Sequence, residues 1–572
     1  MGSSVGGRYM RRATVAAALI AGIITPQALA VAPHAVAPDP GCRAGASAVA
    51  YRAGGVAVAP QPQATPVPCQ VSTGYPSAES QFRVGNDNTL FMEPAVLNYG
   101  PVTAPGIYFA PSTFAGVAIT GNKGRSWSAV CPSPQGLPCP MPYYLDGQTY
   151  YDRDTGRFFW SFYVAANGGN ALASTDDDGK SWSVTSEWPI PDTENGQVLS
   201  ATPRTSTTIG YPKVVYFCAN FGPVGGFGSS GDLLLASTPA RTPAARACEK
   251  SLDGGRTFTD TGQGLLFTRP VAQRPQCGSA PDETSGYPAA ATDGTLYLLV
   301  SCGGKDYLAR STDEGATWPI VSGAASPPNA GAYALHSLSI DSANNMYIAQ
   351  EDGGKLNLAI SRDLGASWTT LHGIQAPGIV PSTYEIALGA PGQVELAYYG
   401  QVSGKGDSEG FISYTADALE NAPMFWAAQL NPADKPLIPG GPPTLNIQPS
   451  DVGDRVDFIG ADIGRDGTPW ASFAGYCGTS PITPQCLAAA PSRTTSTTNG
   501  YVGHLDLTNL HGTVPQKHPG TKPARHPATS SQVQRPSGSL AATGFAIGVP
   551  LTAFSSLLLA ALLRRRQGSQ RE

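Results

Sequence analysis

The chain has 572 residues and a formal net charge of −5, and only 13% of it is Asp, Glu, Lys or Arg, against roughly 25% in an average soluble protein. No basic patch stands out, which argues against nucleic acid as a partner, and 67 Gly and 52 Pro favour strands and turns over helices. Length permits several domains, but closed all-β folds of this size also occur as one.

Residues 1–30 read as an export signal. Arg8, Arg11 and Arg12 form a positive start, "ATVAAALIAGII" is an apolar run, and "ALA" at Ala28 to Ala30 is a small-residue cleavage site. Residues 31–68 are rich in Ala, Pro and Val without helical periodicity and are expected to be an irregular lead-in.

From residue 69 to 509 one short pattern recurs, [S/T]-x-D-x-G-x-[S/T]-[W/F]. It occurs as "TDDDGKSW" around Asp177, "SLDGGRTF" around Asp253, "STDEGATW" around Asp313 and "SRDLGASW" around Asp363. "TGNKGRSW" has Asn122 in the Asp place, and "TADALENAPMFW" is a decayed copy. Repetition makes these residues scaffold, because a catalytic constellation is normally unique in a chain. The Asp accepts hydrogen bonds from its own turn, the Gly takes a positive φ, and the aromatic packs inward. Upstream of the boxes, "YYDRDTGRFFWSFYV", "AATDGTLYLLVSC" and "LSIDSANNMYIAQ" have the alternation and turn residues of hairpins.

The pattern resembles the Asp-box, or bacterial neuraminidase repeat, of sialidase-like β-propellers. The resemblance implies an all-β propeller of four-stranded blades over 69–509. Seven blades are expected, at 88–132, 140–187, 200–262, 285–322, 333–372, 382–430 and 452–508, with six as the alternative. The last unit lacks a box, and a strand near Gln70 to Arg83 is expected to complete it and close the ring.

The same resemblance implies what an active site would need: three arginines on the substrate carboxylate, an acid/base Asp, and a Tyr nucleophile activated by a Glu. "QFRVG" is the nearest approach to the family's FRIP motif and makes Arg83 the first-arginine candidate, with Asp87 close behind it and Asp146 far along. "STYEIALG" supplies Tyr384 and Glu385, which as strand neighbours point to opposite faces and cannot simply form a couple. Arg204, Arg269, Arg274, Arg310, Arg455 and Arg465 are the further arginines of the ring to be considered. Aromatic residues such as Tyr143, Tyr144, Tyr287 and Tyr384 could stack on sugars but fit a core equally well. "DRDTG" and "TDDDG" lack the downstream Glu of a calcium loop. His336 reads as an interior side chain. No cofactor motif appears.

Residues 510–539 are rich in Pro, Ser, Thr and His and read as an extended linker. Leu540, Ala541, Ala542, Thr543 and Gly544 are followed by an apolar run at 545–563 and then Arg564, Arg565 and Arg566. The run is long enough to span a bilayer as a helix. The order of 540–572 resembles the LAXTG-type cell-wall sorting signal of Gram-positive bacteria. That resemblance implies a sortase that cleaves after Thr543 and joins it to peptidoglycan, with the helix holding the chain in the membrane beforehand. The expected location is therefore extracellular, on the wall or the membrane.

Ten cysteines fall as sequential neighbours: Cys42 and Cys69, Cys131 and Cys139, Cys218 and Cys248, Cys277 and Cys302, Cys477 and Cys486. Local disulfides suit an exported chain, although spacing alone does not fix connectivity. No CxxC or Cys/His cluster appears in the sequence, so no metal site is expected. Two functions remain: a surface protein that binds a glycan or protein ligand, or an exo-α-sialidase, a retaining glycoside hydrolase.

Overall fold

The computed structural model describes residues 41–43, 45–77, 80–93, 116–132, 144–164, 169–185, 194–221, 245–260, 287–302, 305–321, 338–402, 406–438, 459–476 and 498–510. All lie in one compact unit, Met1–Val514; the second unit, Pro515–Glu572, is outside the described residues, as are the export signal, the sorting motif and the 545–563 span. Among the described residues no helix is long and apolar enough to cross a membrane.

The strands form seven antiparallel sheets. Blade I holds Gln81–Val84, Leu90–Glu93, Val117–Thr120 and Ser128–Val130. Blade II holds Tyr144–Asp152, Arg157–Val164, Gly169–Thr175 and Ser183–Thr185. Blade III holds Glu194–Ala201, Val214–Phe221, Ala245–Ser251 and Thr259–Asp260. Blade IV has three described strands, Ala289–Ala290, Leu296–Cys302 and Lys305–Ser311, with Ile320 bridging Ala309 on the outside. Blade V holds Leu338–Ile340, Met346–Glu351, Leu356–Ser361 and Thr369–His372. Blade VI holds Ile379–Leu388, Val394–Val402, Glu409–Thr415 and Met424–Gln429. Blade VII holds Gly460–Ile463, Pro469–Tyr476 and Thr498–Asp506, with Val67–Pro76 as its outer strand. The first strand of each blade touches the first strand of the next, and blade VII touches blade I. The ring is therefore a closed seven-bladed propeller, not six-bladed.

Closure comes from Val67–Pro76 alone. Arg83, expected near the end of that closing strand, lies instead on the innermost strand of blade I, because the chain turns between Pro76 and Gln81 and starts a new sheet. Nor is the 31–68 lead-in wholly irregular. Val49–Arg52 pairs with Met424–Gln429, and Val56–Ala57 pairs with Val49–Arg52, so blade VI has six strands. Arg43 and Arg52 fasten this arm by donating to the Asn431 and Ala422 carbonyls.

The core lies between blades, so middle strands are buried on both faces. In blade II, Phe158, Phe159, Trp160 and Phe162 are all buried, and Phe158 stacks on Phe91 of blade I at 4.2 Å. Each such side chain removed from water contributes about 2–3 kcal/mol. Outer strands such as Ser183–Thr185 and Thr369–His372 contain no buried residue.

The boxes share one hydrogen-bond set. In blade IV the Ser311 hydroxyl donates to Asp313 (2.9 Å) and accepts from the Gly315 amide (2.8 Å), while Asp313 accepts from the Thr317 amide and hydroxyl (2.9 and 2.6 Å). Asp177, Asp253 and Asp363 repeat it. Asn122 does so with its amide donating to the Ser126 hydroxyl. The decayed box keeps its Thr415 to Asp417 bond. Two consecutive residues of each complete box are left-handed, as in Glu314 and Gly315 at φ 57° and 88°. The box glycine then lies against the preceding blade: a Cβ on Gly365 would come 2.4 Å from Leu308, and on Gly179 2.2 Å from Ile119.

Candidate functional site

Because each blade is a meander, its first-to-second and third-to-fourth turns share one rim, and all boxes lie there. Links from second to third strands, and from one blade to the next, share the other rim. Residues 94–115, 222–244, 261–286, 322–337, 439–458 and 477–497 are outside the described residues, and His336, Arg269, Arg274 and Arg455 with them.

The four residues singled out from sequence stand on two blades, Arg83 and Asp87 on blade I and Tyr384 and Glu385 on blade VI. Arg83 is half-buried, and its Nη1 donates to the Phe82 carbonyl (2.6 Å) and the Ala461 carbonyl (3.4 Å). Asp87 lies in the following turn on the box rim and accepts from the Thr89 amide at 3.0 Å. Tyr384 and Glu385 are on the innermost strand of blade VI, paired with Tyr398 and Ala397. Tyr384 packs with Ile386 and Leu388 in the core shared with blade V, whereas Ala387, on the Glu385 face, packs toward blade VII. The two side chains thus point apart as the strand geometry requires. The Tyr384 hydroxyl donates to the Ala349 carbonyl at 3.3 Å. Burial pushes this phenol up, and the Glu351 and Glu385 carboxylates add to the rise. At the other end of the same hairpin, Val380 and Val402 are exposed. Tyr287 is buried; the Tyr143 and Tyr144 side chains and that of Asp146 are outside what the structure describes.

The box rim carries a network of charges that joins one blade to the next. Arg153 of blade II reaches Asp462 of blade VII, whose other oxygen accepts from the Val84 amide of blade I at 2.7 Å. Asp152 accepts from Lys213 (2.9 Å), Tyr211 (2.5 Å) and Ser200 (3.0 Å) of blade III. Burial alone would raise the Asp152 carboxyl, but the Lys213 ammonium and these donors hold it below its usual value. Arg157 forks onto Asp176 and lies 4.5 Å over the Tyr211 ring. Glu314, fully buried, accepts from the backbone amides of Arg204, Thr205 and Ser206, from the Ser206 hydroxyl and from Lys250. Three amides converging on one oxygen are an anion-binding concavity that the chain fills itself. Against the cost of burial, these donors hold Glu314 well below the carboxylate range. Sequence reading missed this group, because Glu314 stands at a variable position of the box.

In "DRDTG" the Lys213 ammonium sits between Asp152 (2.9 Å) and Asp154 (2.5 Å), where a cation would go, and in "TDDDG" Asp177 is spent on its own turn. Cys42–Cys69 and Cys218–Cys248 are disulfides, and Cys131 is disulfide-bonded as well; the remaining pairs involve residues outside the described segments. Among the described residues one group of metal-type donors comes together, Cys42, Cys69 and His504. Sequence spacing could not show it, since 27 and 435 residues separate the three.

No family model matches the chain, and no curated protein does. Solved structures of similar shape include a Hadza microbial sialidase, at 15% identity and TM-score 0.36 over 62% of this chain and 66% of that one. An α-L-arabinanase of Penicillium chrysogenum follows at 11% and 0.34, over 63% and 98%. A xyloglucanase of Xanthomonas campestris follows at 13% and 0.37, over 67% and 54%. Similarity of this degree assigns neither family nor activity.

Proposed function

We propose that the chain is an exported surface protein, joined through Thr543 to the cell wall of a Gram-positive bacterium. Its propeller binds a glycan or protein ligand at the rim opposite the boxes without hydrolysing it. The observation that carries this reading is that, among the described residues, the innermost strands hold a single arginine, Arg83. The other described arginines named as candidates are engaged or remote: Arg204 is held by Asp293 and the Thr312 carbonyl on the box rim, Arg310 is exposed on a third strand, and Arg465 is exposed in a turn. A carboxylate clamp needs several convergent guanidinium forks.

Charge supports the same reading. Residues 31–510 contain 40 Asp and Glu against 25 Lys and Arg, a net charge of −15, while 511–572 carry eight Lys and Arg against one Glu. A field of that sign slows the approach of an anionic sugar and favours a neutral or cationic ligand. Export and sorting rest on the 1–30 and 540–572 sequences, with disulfides as the expected companion of an oxidising compartment.

The alternative, an exo-α-sialidase, is favoured by one observation: the Tyr384 phenol stands on an innermost strand, where the Glu351 and Glu385 charges add to the rise that burial causes. Display on the wall is tested by fractionating cells that express the full-length chain. The wild type is expected in the muramidase-released wall fraction and Thr543→Ala in the membrane fraction; unchanged wall attachment of Thr543→Ala removes the sortase reading.

A further inference from the structure

Blade VII carries one row of side chains from its innermost strand to its outer edge. Asp462 faces Trp470, Trp470 faces His504, His504 faces Cys69, and Cys69 faces Cys42 on the arm within the 31–68 lead-in. Residues directly opposite on adjacent antiparallel strands point to the same side of the sheet. Cys42, Cys69 and His504 are thus three consecutive members of one row, and their donor atoms all lie within 4.8 Å of one another. The His504 ring is buried and stacks on Trp470 at 4.0 Å, which fixes its plane. Cys69 is buried, whereas Cys42 is only half-buried and opens the group to solvent at the sheet edge.

We propose that this group is a redox-gated site for a thiophilic divalent cation of the Zn2+ class. With the Cys42–Cys69 disulfide closed, as here, it is a staple with no thiolate to offer. A dithiol reductant opens it: one thiolate of the reductant attacks a sulfur, the mixed disulfide is resolved by the second thiol, and Cys42 and Cys69 emerge as thiols while the reductant becomes a disulfide. Binding of M2+ then releases the two thiol protons and gives a thiolate, thiolate, imidazole donor set with a fourth position for water.

Metal–sulfur bonds of about 2.3 Å at a tetrahedral centre put the two sulfurs roughly 3.7 Å apart. The facing Cα atoms, 3.9 Å apart, allow this by side-chain rotation without moving either strand. Small soft donors with one imidazole select Zn2+ over Ca2+ or Mg2+. The consequence is structural: the arm at 41–43 and the closing strand Val67–Pro76 stay joined in either redox state, by a covalent bond or by a metal.

The test uses the purified full-length chain in detergent, with Co2+ as the probe because thiolate-to-cobalt absorption reports sulfur ligation. After phosphine reduction and desalting without oxygen, the wild type is expected to take up one Co2+ with thiolate bands, displaced by Zn2+. The oxidised chain is expected to show none. Cys42→Ser, at the half-buried edge, is expected to bind at least tenfold more weakly with about half the thiolate intensity, and His504→Gln to alter the ligand-field bands. Circular dichroism on each sample reports whether the strands persist. Thiolate bands in Cys42→Ser equal to those of the wild type, or no bands in a reduced wild type that keeps its strand signal, overturn the proposal.

Discussion

Glu314 shows how much one side chain can be asked to do in this ring. It is one of the two left-handed residues of a box in blade IV, and it fills a concavity of three amides and an ammonium in blade III. Glu314→Gln keeps the shape but removes the charge and aims an amide donor at Lys250. A loss of about 3 kcal/mol is expected, the scale for breaking a buried pair, read from urea denaturation. Acid should act on the same class of groups. The Ser181 hydroxyl and amide pull Asp177 down to about 2 from an ordinary 3.8. Asp253, Asp313 and Glu314 are lowered against the cost of burial, and Asp363 by its Ser367 bonds. A carboxyl depressed in the folded state contributes stability that is complete above its unfolded value and is lost as pH falls through the folded one. The melting temperature should therefore change little from pH 6 to 4.5 and drop between 4 and 2. A curve that is flat down to pH 2 contradicts this. The sequence marked the box carboxylates because they repeat; it hid Glu314 because only the fold brings 204–206 to it.

At the scale of the element, the box is a turn that also spaces blades. Gly365 combines φ 90° with a Cβ position 2.4 Å from Leu308, whereas Gly210 has φ 71° with nothing within 4 Å. A left-handed L-residue costs about 1–2 kcal/mol, and overpacking adds about 1–3. Gly365→Ala is expected to lose roughly 3 kcal/mol and Gly210→Ala about 1, measured as paired denaturation curves; equal losses would show that interblade contact at the box adds nothing. Boxes and middle strands were legible because both have strong local patterns, turn residues in one case and unbroken apolar runs in the other. Outer strands were not: Ser183–Thr185 and Thr369–His372 are short, polar and without buried residues, so no periodicity betrays them. The arm Val49–Arg52 was missed for a related reason, since its buried pair Ala50 and Tyr51 are adjacent and do not alternate.

For the whole molecule, seven blades closed by an N-terminal strand followed from counting units and asking what completes the last one. The closing strand is Val67–Pro76, and the row that ends in Cys42 locks it. Function is less legible, because charges such as Arg153, Lys213, Lys250 and Glu314 serve to join blades along the box rim, and the links of the opposite rim have no repeated pattern in the sequence. What remains is an acidic chain with, among the described residues, one arginine on its innermost strands. The measurement that tests this account most directly is release of 4-methylumbelliferone from its α-sialoside by the purified full-length chain, wild type and Arg83→Ala. A propeller that binds without hydrolysing releases none above background in either. Release by the wild type that is lost in Arg83→Ala would contradict it.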